Sequence, residues 1–454
     1  MNNTKERSLF GTDGIRGVAN EYPMTSEVAL SVGRALAYFF RGKKHHRKVL
    51  IGKDTRLSGY MIETAIASGV SSMGVDVLLV GPMPTPAIAF LTGGMRADGG
   101  VMISASHNPF QDNGIKLFDA EGFKLSDEAE KRLEELVFSE ELTKSLASAS
   151  SVGKAFRVGE AKGRYIEYLK GTFPRDFDLE GVKIVIDCAH GASYEIAPTV
   201  FEELGATVYP IGVLPNGTNI NEGCGAMRPT LLQEEVKRRG ADLGIALDGD
   251  GDRAVFVNEK GEVVDGDAIL AICGEDLNER GLLKGSTVVA TVMSNIGLEE
   301  YLGRCGVNLV RTSVGDRYIM ERMRRDGYQF GGESSGHLVF RQYSTTGDGI
   351  LAGLQLLALV MRREKPLSVL AGHYSAYPQV LKNVRVRKRV DLNLYPAIQG
   401  KIQEIGRALG RTGRLLVRYS GTEPLVRVMI EGRDATHIER MAQEIASCVS
   451  EQLS

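Results

Sequence analysis

The sequence predicts an α/β protein: three similar α/β domains with largely parallel sheets, then a small α+β domain. Three observations carry that expectation. A pattern of strand, loop, helix, glycine and strand recurs three times, about 100–130 residues apart. The C-terminal segment abandons the pattern for two strands around a turn and a closing helix. The chain is 454 residues long, and single hydrophobic cores stop growing at about 250–300 residues.

In the first copy, Lys48-Val49-Leu50-Ile51 is a short apolar strand, a helical stretch runs to Gly74, and Val75-Asp76-Val77-Leu78 is the next strand. The second copy runs from Lys183-Ile184-Val185-Ile186 to Gly205 and Ala206-Thr207-Val208. The third runs from Thr287-Val288-Val289 to Gly306 and Val307-Asn308-Leu309-Val310. Apolar strands alternating with helices imply βαβ units. A glycine just past each helix suits a left-handed C-cap. After about Tyr374, Leu415-Leu416-Val417 and Leu425 to Ile430 are read as strands flanking Ser420-Gly421-Thr422-Glu423-Pro424, with a helix from about Ala435 to Val449. Linkers are expected at Ser145 to Gly159, Asn258 to Gly261 and Ala371 to Pro378.

Composition narrows the function. A net charge of −2 supplies no global basic field for nucleic acid or an anionic membrane. No apolar run approaches the ~20 residues of a membrane span, and Met1 to Ser8 carries no apolar signal core. The five cysteines are scattered without a CxxC pair, which argues against zinc and fits a reducing cytoplasm.

Several segments carry chemistry. Ser104-Ala105-Ser106-His107-Asn108-Pro109 follows the apolar strand Val101-Met102-Ile103, and ligands of open α/β sheets bind at the carboxyl ends of strands. Ser106 is a candidate nucleophile there, with His107 adjacent and Lys116 ten residues on. A polar turn with Ser106 as a helix N-cap is the bland alternative. In Asp248-Gly249-Asp250-Gly251-Asp252-Arg253, three carboxylates at alternate positions can converge on one hard cation. An EF-hand loop competes, since Glu259 falls at its position 12, but Arg253 occupies position 6, where a glycine is required. A solvated acidic turn is the other alternative. Arg418 to Pro424 with Arg427 reads as a phosphate cradle, combining hydroxyls, turn N–H groups and two guanidiniums; alone, such a turn is more often a hairpin. Gly11 to Gly17 is a polar glycine loop whose Arg16 gains interest from the other anion-binding elements. In Gly332 to His337, Glu333 and Ser335 are able to hydrogen-bond sugar hydroxyls and His337 to move a proton, a satisfied core or turn histidine being the commoner alternative for an isolated His. Thr345 to Gly349 is read as a helix N-cap without a catalytic role.

Taken in this order, the segments resemble the α-D-phosphohexomutase superfamily over nearly the whole chain, from Phe10 to about Gly432. Ser106 to Pro109 is similar to its phosphoserine loop, Asp248 to Asp252 to its metal loop, Gly332 to His337 to its sugar loop and Ser420 to Pro424 to its phosphate loop. Phe10 to Gly17, Val101 to Lys116 and Asn219-Ile220-Asn221-Glu222-Gly223-Cys224-Gly225 resemble the bacterial subfamily that acts on glucosamine phosphates. Five positions depart from that subfamily: Ser334 replaces Gln, Tyr419 replaces Pro, and Ala226-Met227-Arg228 replaces Ser-Thr-His.

The resemblance implies three related α/β/α domains with mixed, largely parallel sheets, at 1–158, 159–259 and 260–373. A fourth, α+β domain at 374–454 would resemble the TATA-binding-protein fold. It implies reversible conversion of glucosamine 6-phosphate and glucosamine 1-phosphate through a phosphoserine enzyme and a 1,6-bisphosphate, supplying UDP-N-acetylglucosamine synthesis. One Mg²⁺ would be held by Asp248, Asp250, Asp252 and phosphorylated Ser106, and that phosphorylation would be required for activity. Ser106, His107, Lys116, His337 and Arg16 would be catalytic, with the acid and base roles of Lys116 and His337 left open. Arg253, Glu333, Ser335, Arg418, Ser420, Gly421, Thr422 and Arg427 would bind substrate. The expected partner is a small hexosamine phosphate in the cytoplasm, not nucleic acid or membrane, and a homodimer stays open. The alternatives are a superfamily member acting on mannose or glucose phosphates, a serine phosphatase using the same nucleophile, and a non-enzymatic sugar-phosphate sensor.

Overall fold

The computed structural model describes residues 9–11, 13–40, 48–387, 390–410, 412–419 and 425–453. The chain forms two compact bodies. One is built from the chain up to Met293 together with Leu309–His373; the other comprises Ser294–Asn308 and the chain from Tyr374 onward.

The first body holds three sheets. Strands β1 (Ile15–Val18), β2 (Lys48–Lys53), β3 (Asp76–Pro82), β4 (Gly99–Ile103), β5 (Asp112–Asp119) and β6 (Ala155–Arg157) form a sheet in the order β1-β5-β4-β2-β3-β6. It is parallel from β4 through β2 and β3 to β6, and antiparallel where β5 joins β4 and β1. A second sheet contains β7 (Lys183–Asp187), β8 (Thr207–Ile211), β9 (Leu243–Leu247), β10 (Ala254–Asn258) and β11 (Val263–Val264), ordered β11-β10-β9-β7-β8. The third contains β12 (Thr287–Thr291), β13 (Asn308–Thr312), β14 (Phe330–Gly332) and β15 (Leu338–Phe340), ordered β13-β12-β14-β15. The central strands β4 and β9 are buried along their whole length, as near-continuous apolar strands must be when both faces are covered. The second body holds an antiparallel sheet of β16 (Gln379–Arg385), β17 (Gly413–Tyr419) and β18 (Leu425–Gly432), ordered β16-β18-β17, with the helix Ala435–Leu453 after it.

The predicted repeat is present. Gly74, Gly205 and Gly306 each stand one residue past a helix C-cap with positive φ, +77°, +101° and +70°. That is the left-handed geometry that lets a chain leave a helix and return to a sheet. Two linker expectations need correction. Ser145 to Gly159 contains β6, which extends the first sheet by pairing with β3. Asn258 to Gly261 is the hairpin turn joining β10 to β11, closed by the Asn258 side chain accepting from Lys260 and Glu262 N–H groups. Among the described residues no helix is long and apolar enough to cross a membrane.

Thr345 to Gly349 does cap a helix. The carboxylate of Asp348 accepts from Ile350 and Leu351 N–H groups at 3.1 and 3.0 Å, starting the helix Gly349–Arg363. It also accepts from the Tyr165 hydroxyl at 2.5 Å. Burial raises the Asp348 pKa to about 6, against about 3.9 in an unfolded chain. Between those values the folded state holds the extra proton, so its contribution to stability falls as pH rises. The shift corresponds to about 3 kcal/mol. Asp348→Asn removes that titration. The expected outcome is a melting temperature that gains on the wild type as pH goes from 4 to 7; a pH-independent difference would contradict the assignment.

Candidate active site

The carboxyl ends of β2, β4 and β9 deliver three turns to one place: Asp54 to Arg56, Ser104 to Pro109, and Asp248 to Arg253. The last turn closes on itself, with the N–H groups of Gly251 and Arg253 donating to the main chain and side chain of Asp248 at 3.0 and 3.2 Å. The approach is close: a Cβ on Gly249 would lie 2.6 Å from the carbonyl oxygen of Ser106, so only glycine fits.

Ser106 is not a helix cap. It sits at φ +53°, a conformation that costs a residue with a Cβ about 1–2 kcal/mol. The turn thereby aims Oγ at the aspartates, and it donates to Asp248 Oδ2 at 2.5 Å. The serine is 1% exposed.

Asp248, Asp250 and Asp252 are all buried and can bring one carboxylate oxygen each within 4.8 Å of one another. Lys116 donates to Oδ2 of Asp250 at 2.7 Å and Oδ2 of Asp252 at 3.3 Å. Thr85 Oγ1 also donates to Asp250 Oδ2, at 2.5 Å. Oδ1 of Asp250 and of Asp252 are buried and take no hydrogen bond. Three carboxylates and one ammonium leave two negative charges, which is the charge of one divalent cation. An all-oxygen donor set with two bare oxygens fits a hard cation such as Mg²⁺. Without one, burial and then the neighbouring Asp252 and Asp250 push the Asp248 pKa well above the carboxylate range, so it keeps a proton. Burial opposes charge on Asp252 too, but Lys116, His337 and Arg253 together outweigh it and hold that carboxyl well below the usual range.

Lys116 and His337 belong to a closed ring of alternating basic and acidic groups. Lys116 Nζ lies 3.5 Å from Asp13 Oδ2, and Lys124 donates to Asp13 Oδ1 at 2.5 Å and also to Asp316. Asp316 Oδ2 is 3.7 Å from His337 Nε2, and His337 Nδ1 is 3.9 Å from Asp252 Oδ1. Burial resists the charge on Lys116, but Asp13, Asp250 and Asp252 outweigh it, so the amine stays an ammonium. For His337, burial disfavours protonation while Asp252 and Asp316 raise the pKa. The Gly347 N–H donates to His337 Nε2 at 3.0 Å, so the single ring proton sits on Nδ1, toward Asp252. His107 differs: burial, then Arg253 and Arg16, lower its pKa to about 4, so it stays neutral with Nδ1 3.4 Å from Ser106 Oγ.

Arg16 donates to Asp13 at 2.5 Å and to the Ala105 carbonyl at 3.3 Å, which puts it beside the serine turn. Arg253 lies next to Asp252, with its Nε 3.8 Å from Oδ1. Glu333 accepts from the Gly315 N–H at 3.2 Å and from Ser335 Oγ at 3.4 Å. Ser106, His107, Lys116, His337, Arg16, Asp248, Asp250, Asp252, Arg253, Glu333 and Ser335 thus all lie in the first body. Arg418 and Arg427 lie in the second, directly opposite each other on β17 and β18. Burial, and then the charge of Arg427, lower the Arg418 pKa, a strain that an anion between them would relieve. Ser420, Gly421 and Thr422 fall outside the described residues.

The sequence reading gave no role to Asp13, Asp54, Arg56, Thr85, Lys124 or Asp316. A signal existed for Asp54 and Arg56, which follow a parallel strand directly. Lys124 and Asp316 meet across 192 residues, and no local pattern marks such a pair.

Four family models cover the chain in order. They are described as phosphoglucomutase/phosphomannomutase alpha/beta/alpha domain I (residues 7–144), domain II (163–261), domain III (265–377) and C-terminal domain (381–447). A phosphoglucosamine mutase of Syntrophotalea carbinolica is 57% identical over 450 residues, covering 99% of this chain and 98% of the relative. One of Citrifermentans bemidjiense is 56% identical, covering 98% of each. The fold is similar to that of a phosphoglucomutase/phosphomannomutase family protein of Burkholderia thailandensis, with a TM-score of 0.82, 24% identity and coverage of 98% and 97% of the two chains. It is also similar to an Aspergillus fumigatus N-acetylphosphoglucosamine mutase solved with GlcNAc-6P and magnesium, with a TM-score of 0.64, 18% identity and coverage of 93% and 99%.

The carboxylate cluster makes a prediction that needs no substrate. Mg²⁺ at 100 times its dissociation constant would stabilise the protein by about 2.7 kcal/mol, read as a rise in melting temperature. Mn²⁺ binding followed by loss of its free spin signal would report the same site. Asp250→Asn and Asp252→Asn are expected to abolish both responses; a variant that still bound the ion as the wild type does would place the cation elsewhere.

Proposed function

The chain belongs to the phosphoglucomutase/phosphomannomutase family, and from that premise we propose that it interconverts glucosamine 6-phosphate and glucosamine 1-phosphate through phosphorylated Ser106. One observation carries the reading: a buried hydroxyl, held in left-handed geometry, is set 2.5 Å from a carboxylate of a three-aspartate cluster. The choice of an amino sugar is supported by the name shared by relatives 56–57% identical over their full length.

In the proposed cycle, phosphorylated Ser106 gives its phosphoryl group to a free hydroxyl of the sugar phosphate. The bond from phosphorus to Oγ breaks, a bond to the sugar oxygen forms, and the sugar hydroxyl proton passes to an enzyme base while Oγ receives a proton and becomes a hydroxyl again. The 1,6-bisphosphate turns over in the site. Ser106 Oγ then takes the other phosphoryl group as its bond to the sugar oxygen breaks, the serine proton passes to the enzyme, the freed sugar oxygen is protonated in exchange, and the isomeric monophosphate leaves. Mg²⁺ held by the phosphoserine and by Asp248, Asp250 and Asp252 would supply neutralisation of charge on the phosphoryl oxygens. Arg16 and Arg253 add donors to the same group, and neutral His107 offers a hydrogen bond beside Oγ. Lys116 and His337 are the groups proposed to move protons, Lys116 entering as the ammonium. Glu333 and Ser335 bind ring hydroxyls in either orientation. The phosphate that stays is assigned to Arg418, Ser420, Gly421, Thr422 and Arg427.

The four-part division at 1–158, 159–259, 260–373 and 374–454 is retained as a proposal. We place the enzyme in the cytoplasm, consistent with cysteines that form no disulfide.

Ser106→Ala is expected to lose turnover of glucosamine 6-phosphate by orders of magnitude while still binding it. Wild-type kcat/KM should favour glucosamine phosphate over glucose and mannose phosphates. Inorganic phosphate as the main product would make the protein a phosphatase and overturn the reading.

A further inference from the structure

Asn221 lies in the segment that resembles the glucosamine-phosphate subfamily, yet the proposed cycle gives it no task. Its side chain has one. Nδ2 donates to the carbonyl oxygen of Ser106 at 2.9 Å and to that of Asn108 at 3.0 Å. Arg56 reaches the same two carbonyls from another turn, Nη2 lying 2.9 Å from each, and its Nη1 donates to the Pro109 carbonyl at 2.6 Å. Two donors therefore meet two acceptors, and each carbonyl has both lone pairs filled.

Both donors are themselves fixed. Arg56 is fully buried, with Nε on Asp54 Oδ2 at 2.8 Å and its own N–H on Asp54 Oδ1 at 2.9 Å. Ser104 Oγ donates to Asp54 Oδ2 at 2.5 Å and accepts from the Ser106 N–H at 2.9 Å, which extends the network to the far side of the serine. Asn221 is anchored through its N–H to the Ala189 carbonyl at 2.9 Å.

A serine that carries phosphate for part of each cycle needs such a backbone hold. In the free enzyme Oγ–H donates to Asp248, and that bond helps keep the turn in place. Phosphorylation removes the donor and adds a dianion to a site already holding three carboxylates. The hydroxyl's own tether to Asp248 is lost while the left-handed backbone remains unfavourable. Hydrogen bonds to main-chain carbonyls do not depend on what Oγ carries.

We propose that Arg56 and Asn221 are positioning residues that clamp the carbonyls of Ser106 and Asn108, so that the serine keeps its place over Asp248 in both its free and phosphorylated states. The inference rests on the mutase reading for its purpose, though the clamp itself is a property of the fold.

Arg56 is buried against Asp54 and its replacement risks the fold, so the half-buried Asn221 is the residue to change. Asn221→Ala removes the donor, and Asn221→Asp keeps the shape while replacing the donor with an acceptor. Both are expected to lower kcat about 100-fold, the scale of an ångström of misplacement, with KM for glucosamine 6-phosphate held within about twofold. Single-turnover phosphorylation of Ser106 by glucosamine 1,6-bisphosphate, followed by intact mass, should slow in step. Amide hydrogen exchange across residues 104–108 should accelerate in both variants without substrate present. Unchanged exchange in that segment, or Asn221→Asp turning over like the wild type, would overturn the clamp. A wild type without mutase activity would instead sink the proposed function, and the exchange comparison would then decide the clamp alone.

Discussion

The carboxylates of Asp248, Asp250 and Asp252 repel one another in a buried site, and the surrounding structure is arranged to make that crowding tolerable. Lys116 bridges two of them, and Asp248 accepts the hydrogen bond of the Ser106 hydroxyl. The remaining oxygens of Asp250 and Asp252 are bare. Leaving buried acceptors without partners costs about 1–3 kcal/mol each, which a stable protein tolerates where the gap is filled in function. The same repulsion makes the site receptive to cations and to the proton of a serine hydroxyl.

Around this centre acidic and basic groups alternate through Lys116, Asp13, Lys124, Asp316, His337 and Asp252, which come from segments flanking all three sheets of the first body. Each ion is costly to bury alone, and removing one member of such a set leaves its neighbour unpaired, at about 3–5 kcal/mol. The ring ties Lys116 and His337 to the same carboxylate, Asp252, from opposite sides. A proton moved at either residue is therefore felt at the carboxylate cluster, which is the coupling that the proposed phosphoryl transfer asks of its acid and base.

Much of this was legible in the sequence because it is local. Alternating aspartates, a serine turn after an apolar strand and a glycine past each helix are patterns of neighbours, and short-range geometry enforces them. The left-handed backbone of Ser106 was not legible: a non-glycine residue at φ +53° is held by Arg56 and Asn221 from distant turns. The Ser145 to Gly159 stretch misled for a similar reason. Its composition is that of a linker, but β3 offers an open edge, and Ala155–Arg157 pairs with it despite being exposed. Asp316 reads as an ordinary acidic residue at a helix start until the fold sets Lys124 against it.

The proposed cycle stands on Ser106 as a phosphate store that fills and empties. Incubating the protein with glucosamine 1,6-bisphosphate labelled in both phosphates, then mapping peptides by mass, tests this most directly. The expected result is label on Ser106, and its discharge into sugar when unlabelled glucosamine 6-phosphate is added in excess. Isomerisation that continues while Ser106 stays unlabelled would contradict it.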